Sequence, residues 1–333
     1  MDLPALYSTY LNPMLFDKDV EQQPTRNGFG EGLVLAGTEN PDVVGLSGDL
    51  TESTRMDGFA KQFPERFFEV GVAEQNMAGI AAGLALAGKI PFMSSYATFS
   101  PGRNWDQLRV SICYSEANVK LAGCHAGISV GPDGATHQAL EDLAITRVLP
   151  NLTVISPCDS IEARKATVAA AHHMGPVYLR FSREKTPIIT SELTSFVIGK
   201  AQLMRDGDDV AIIATGPLVY EALLAAETLT QDKIQATVLN LHTIKPLDTT
   251  TLERIGRHCK AIVTVEEHQI HGGLFGAVSE FYSRHLPLPV EPVAMADRFG
   301  ESGQPDELLK KFSLKARDIR GAVHRVLKRQ AVK

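Results

Sequence analysis

The stretch FFEVGVAEQNMAGIAAGLALAG, residues 67–88, decides the fold. Phe67, Phe68, Val70 and Val72 favour a strand, and from Ala78 to Gly88 no residue carries a charge. A helix without a polar face is buried in a domain or in a membrane. This one stops at Lys89, short of the roughly 20 residues a bilayer needs, so it is expected to be a buried helix of a globular domain. Glu74 stands at its head, where an ionised carboxylate is costly without a partner. The helix dipole also favours an acid at that position, so a structural role competes with a chemical one.

Outward from this unit the same alternation continues. Apolar β-type runs at 43–46, 68–72, 90–94, 119–122, 153–156 and 177–180 are separated by helical patterns, notably 105–115 and 160–172. Such alternation predicts a parallel sheet covered by helices. Alternation resumes with strands at 210–214, 238–241, 261–265 and 290–293 and helices at 217–229 and 273–285. The fold class expected is therefore α/β, with two parallel or mixed-sheet domains. The expected divisions are an irregular amino-terminal arm at 1–23, a first domain at 24–189, a linker at 190–200 and a smaller second domain at 201–333.

The 333 residues carry 33 Lys and Arg against 39 Asp and Glu. That mild acidity, without a long basic run, argues against nucleic acid and anionic membranes as partners. Cys113, Cys124, Cys158 and Cys259 lack a C-x-x-C pattern and read as reduced, buried thiols. No basic and apolar leader is visible at the start, and the expected location is cytoplasmic.

Chemistry concentrates in LAGCHAGISVGPDGATHQALEDL, residues 121–143. A strand ends near Gly123, and a loop with Gly127, Gly131 and Gly134 carries His125, Asp133 and His137 toward a helix expected near Gln138. Loops after parallel strands are where such sheets place ligands. Two histidines and a carboxylate suit proton transfer or hydrogen bonding to a polyhydroxylated substrate. An Asp133–Gly134 turn and a Thr136 helix cap explain part of the loop, but neither histidine. Arg26, Ser53 and Arg183 lie near strand ends, where two arginines and a hydroxyl could clamp a phosphate. The GFGEG cluster at 28–32 follows no strand and has its third glycine misplaced for a dinucleotide fingerprint. His268 and His271, beside Glu266 and Glu267, are read as a surface loop after a strand rather than as metal ligands.

VGVAEQNMAGIAAGLALAG, SYATF and HAGISVGPDGATHQALEDLA, in that order, resemble the pyrimidine-binding domain of transketolases. The resemblance extends through the linker into the family's C-terminal domain. No G-D-G metal motif is present, so the chain resembles the C-terminal subunit of a split transketolase. That implies a partner polypeptide with the pyrophosphate-binding domain, and self-association to an α2β2-type assembly. The implied cofactor is thiamine diphosphate, with Mg2+ (or Ca2+) held mainly by the partner. The implied reaction moves a two-carbon ketol unit from a ketose phosphate to an aldose phosphate.

Residue by residue, the resemblance implies that Glu74 binds the pyrimidine ring and drives its proton shuttling. Phe99 stacks on that ring, and Asp49 lies near the cofactor. His125 and His137 act at the donor's hydroxyls and carbonyl, and Asp133 contacts a sugar hydroxyl. Arg26, Ser53 and Arg183 hold the substrate phosphate. Pro132 and Ala135 depart from the common loop, and a second phenylalanine after Phe99 is missing, with Trp105 expected to fill part of its space. Donor and acceptor sugars are therefore open. A 1-deoxyxylulose-5-phosphate synthase-like enzyme, a transketolase for a branched or sulfonated sugar, and a non-catalytic subunit of the same fold stand as alternatives.

Overall fold

The structure is a computed structural model that describes residues 6–331. Residues 1–5 of the expected arm and 332–333 of the expected second domain lie outside the described residues. In the first half the elements are β1 (Gln22–Pro24), α1 (Thr25–Glu39), β2 (Val43–Ser47), α2 (Asp57–Gln62), β3 (Phe67–Glu69), α3 (Glu74–Leu86), β4 (Ile90–Tyr96), α4 (Trp105–Gln107), β5 (Lys120–Cys124), α5 (Asp142–Arg147), β6 (Thr153–Ile155), α6 (Ser160–His172), β7 (Val177–Arg180) and β8 (Lys185–Pro187). The second half has β9 (Gln202–Arg205), β10 (Val210–Ala214), α7 (Val219–Leu229), β11 (Ala236–Asn240), β12 (Thr243–Lys245), α8 (Thr249–His258), β13 (Ile262–Gln269), α9 (Leu274–His285), β14 (Val290–Met295), α10 (Pro305–Lys311) and α11 (Ala316–Ala331).

Two large sheets and the two-stranded β1-β8 ribbon form among the described residues, and the α/β class expected from the alternation is observed. A seven-stranded sheet runs β12-β6-β7-β5-β4-β2-β3, and a five-stranded one runs β14-β13-β10-β11-β9. In the first, every neighbouring pair is parallel except β12 with β6. Strands β2 and β5 are buried along their whole length, as expected of a sheet covered on both faces. The β12 crossover, which brings a strand of the second half into the first sheet, has no signal in the local sequence. No helix among the described residues is long and apolar enough to cross a membrane.

Helix α3 differs from expectation. Met77, Ala78, Ala81 and Ala82 pack on the sheet, but Gly79, Ile80, Gly83 and Leu86 are exposed, Leu86 by 70%. Only half of this apolar helix is buried by its own chain. A Cβ added at Gly79 or Gly83 would meet nothing within 4 Å. Phe68, Val72, Val110 and Tyr114 extend the exposed apolar surface.

The GFGEG cluster belongs to α1. A Cβ at Gly28 would lie 1.9 Å from the Ser160 carbonyl oxygen, and one at Gly32 would lie 2.7 Å from that of Arg164. These glycines let α1 pack backbone to backbone against α6. The arm is less irregular than its composition predicts. Tyr7 bridges Arg205, Leu11 bridges Thr190, and β1 pairs with β8. Tyr7, Leu11 and Leu15 complete the core of the second sheet.

Candidate functional site

Across the first sheet, neighbouring strands β7, β5, β4, β2 and β3 deliver polar residues from their carboxyl ends in the same order. Arg183 follows β7, His125 follows β5, Tyr96 and Phe99 close β4, Asp49 and Ser53 follow β2, and Glu74 follows β3. The carboxyl edge of a parallel sheet is where α/β proteins bind ligands.

An aromatic row forms the centre. The Tyr96 ring stacks on the His125 ring at 4.0 Å between centroids and lies 6.0 Å from Phe99. His137 meets both Tyr96 and Phe99 edge-on, at 6.0 and 5.4 Å. Nothing in the sequence marks Tyr96 for this place, although SYATF contains it. Its hydroxyl also shares a 3.0 Å hydrogen bond with Ser53 Oγ. The ring neighbours of Phe99 are thus Tyr96 and His137, while Trp105 turns its indole N–H onto the Ile145 carbonyl.

His125 is 2% exposed and its backbone is left-handed, with φ 56°. Its Nε2 lies 2.7 Å from Arg26 Nη1, which also donates to the Ser53 carbonyl. A guanidinium can only donate, so Nε2 accepts and the hydrogen sits on Nδ1. That Nδ1 is buried and has no partner among the described residues. Burial, with the Arg26 and Arg183 charges, pushes the imidazole pKa down to about 3. His125 is therefore a neutral donor with one unmet hydrogen bond. His137 pairs its Nδ1 with Thr136 Oγ1 at 2.9 Å. The helix expected from Gln138 does not form there, because Gln138 spends its amide on the carbonyls of Ile128 and Glu301, and α5 starts only at Asp142.

Glu74 is 1% exposed at the first position of α3. Arg103 Nη1 donates to its Oε2 at 2.7 Å, and Ser95 Oγ reaches Oε1 at only 3.5 Å. The Arg103 guanidinium also lies 4.8 Å from the centroid of Phe99. No sequence signal points to this arginine. Asp49 is exposed with φ 63°, and Glu69 fixes its loop by accepting from Asp49 N, Thr51 Oγ1 and Gly71 N. Burial acts to raise the Glu69 carboxyl, but these hydrogen bonds hold it below its ordinary pKa. At the other end, Arg183 Nη1 donates to the Val130 carbonyl at 2.9 Å and lies 3.4 Å from Asp133 Oδ2.

The second half braces the loop between these groups. Glu266, Glu267 and His268 are buried within β13, not in the surface loop expected, because that strand runs on to Gln269. Glu267 accepts from Ser129 N, and its carboxylate fills the place a Cβ at Gly127 would need. Beneath the loop, Arg180 and Asp142 form a buried pair at 2.7 Å, and Tyr178 OH donates to the same carboxylate. Burial opposes the Asp142 charge, yet Arg180 holds its carboxyl below the usual range. All four cysteines are free and buried. No group of three or more His, Cys, Asp or Glu among the described residues converges as metal ligands.

Residues 21–188 match the family described as Transketolase, pyrimidine binding domain, and residues 199–319 match Transketolase, C-terminal domain. A 6-deoxy-6-sulfo-D-fructose transketolase subunit of Clostridium sp. (strain MSTE9) is 41% identical over 95% of this chain and 98% of its own length. An apulose-4-phosphate transketolase subunit of Phocaeicola vulgatus is 36% identical over 87% of this chain and 93% of its own. A solved structure described as a split gene transketolase, inactive beta4 tetramer, superposes with TM-score 0.86 at 45% identity, covering 92% of this chain and 98% of that one.

Proposed function

The chain belongs to the transketolase family, and on that premise we propose that it is one subunit of a thiamine-diphosphate-dependent transketolase. The reaction proposed is transfer of a two-carbon ketol unit from a ketose phosphate to an aldose phosphate. The observation that carries the proposal is the row of Phe99, His125 and His137 around Tyr96 at one sheet edge, with Glu74 joined to Phe99 through Arg103.

These residues fit the cofactor. Glu74 Oε1 lacks a close donor, which suits an aminopyrimidine that must share a proton with a carboxylate. Phe99 offers a flat face for stacking. When bound, thiamine diphosphate supplies the carbanion stabilisation. Glu74, buried from water, offers its carboxylate oxygen to a proton shared with the pyrimidine ring. His125 offers its neutral Nδ1–H to a substrate oxygen, and His137, turned edge-on to Phe99, stands where a second proton can be moved. Arg26 and Arg183 supply positive charge for a substrate anion, with Asp133 at the same end for a hydroxyl. Asp49 is assigned to the cofactor's neighbourhood through the loop that Glu69 fixes.

The exposed apolar face of α3 supports a second polypeptide as partner. Two interior helix glycines with open space above them are costly within this chain and suit close approach of another helix. The relatives of similar length described as subunits point the same way. We place the diphosphate and its metal ion on that partner, and assign 24–189 and 201–333 as the two domains, joined by 190–200. The test is to mix the chain with a pyrophosphate-domain subunit, then assay xylulose 5-phosphate with ribose 5-phosphate. Activity of the mixture and not of this chain alone is the expected result. The 6-deoxy-6-sulfo-D-fructose and apulose 4-phosphate named for the two relatives favour a second reading, in which the same site takes a specialised substrate. Parallel assays with those donors distinguish the two.

A further inference from the structure

We propose that Arg103 is a positioning residue that competes with the aminopyrimidine for Glu74 and Phe99 and is exchanged for that ring on binding. The inference rests on the reading of Glu74 and Phe99 as cofactor residues. A guanidinium is a flat donor, and an aminopyrimidine protonated at its ring nitrogen presents a flat ring with an N–H at its edge. Both suit a carboxylate at the edge and an aromatic face beneath. Arg103 already has both, with Glu74 Oε2 at 2.7 Å and the Phe99 centroid at 4.8 Å. At that separation the guanidinium is in cation–π contact, so a heterocycle cannot stack on that same face of Phe99 until it leaves.

The arrangement also explains how Glu74 tolerates burial. A carboxylate 1% exposed would lack a charged partner without Arg103, and an unpaired buried charge is costly. Arg103 itself is 48% exposed, so it can swing into water while Glu74 stays in place. An ion pair with one member in solvent is weak, which makes the exchange reversible. Arg103 thus keeps the carboxylate paired and the aromatic face covered until a planar ligand takes over both contacts.

The chain has a single tryptophan, Trp105, two residues from Arg103, so intrinsic fluorescence reports on this segment. The full chain is titrated with 4-amino-5-hydroxymethyl-2-methylpyrimidine and, separately, with thiamine diphosphate. Arg103→Met removes the competitor with little change in side-chain length and is expected to tighten aminopyrimidine binding by about three- to tenfold. Arg103→Lys, which keeps the cation and loses the flat fork, should fall between Met and wild type, and serves if the Met variant does not fold. Unchanged, weaker or undetectable binding by the folded variants overturns the exchange. Structural damage would lower affinity, so a gain cannot come from that source. Adding Glu74→Gln to Arg103→Met removes the ligand's acceptor alone and should abolish the binding. Persistence of binding there would instead overturn the cofactor reading, whatever Arg103→Met does by itself.

Discussion

Arg26 Nη1 and His125 Nε2 stand 2.7 Å apart, a contact that forces the imidazole to accept and therefore to be neutral. With a pKa pushed down to about 3 by burial and then by Arg26 and Arg183, His125 does not titrate near neutrality. Its ring resonances are expected to stay constant between pH 5 and 8 by NMR. An imidazole titration within that window would remove the neutral-donor role.

The same shift has a stability consequence. His125 and the buried His242 both have folded pKa values pushed down to about 3 from 6.5. Between those values the unfolded chain binds protons that the folded chain refuses. Their contribution is whole above pH 6.5 and is lost as pH falls toward 3. The melting temperature should drop on acidification from pH 7, and His242→Gln should flatten that dependence in calorimetry.

Glu74→Gln keeps the shape but cannot take up the shared proton. Turnover of the assembled enzyme should fall by about two to four orders of magnitude, the usual range for acid–base groups. Circular dichroism and assembly should be unchanged. Near-normal turnover by the assembled variant would sink the assignment of Glu74.

Arg183→Ala removes a cation beside Asp133 and Val130. If it binds the substrate anion, about 1.5–3 kcal/mol is lost, raising KM for phosphosugars by about ten- to a hundredfold. Hydroxypyruvate, which carries no phosphate, should be little affected. Equal losses with both donors would mean that Arg183 only holds the 128–133 loop.

Gly79→Ala and Gly83→Ala should each stabilise the isolated chain by about 0.5–1 kcal/mol, because the space above them is open. Both should weaken assembly if another helix docks there. Thermal melts and sedimentation of the mixture read the two effects separately. Unimpaired assembly would place the partner elsewhere.

Much of the framework was legible because parallel strands are short apolar runs: 210–214 and 177–180 coincide with β10 and β7. Glu74, Phe99, His125 and His137 were reached through motif resemblance, and the structure sets them along one edge of the first sheet. Their surroundings were not legible. Arg103 on Glu74 and Glu267 on Ser129 are contacts across 29 and 138 positions, which no local pattern encodes. Tyr96 lay beyond the run read as a strand, 90–94, although β4 reaches it, and alternation does not reveal which end of a strand faces a ligand. The error over α3 has a simple cause. Apolarity tells that a surface avoids water, but not whose surface covers it.

Strand β12 gives the molecule an order of construction. Thr243 and Lys245 pair with Ile155 and Val154, adding the antiparallel edge beyond β6. On the ribosome, domains tend to fold as they emerge from the amino terminus. Here the first sheet keeps an open flank on β6 through the synthesis of nearly ninety further residues, and an unpaired flank invites pairing with other chains. A nascent chain stalled before residue 243 would carry all the groups of the aromatic row on an unfinished sheet, so translation speed across the second half bears on the yield of the first.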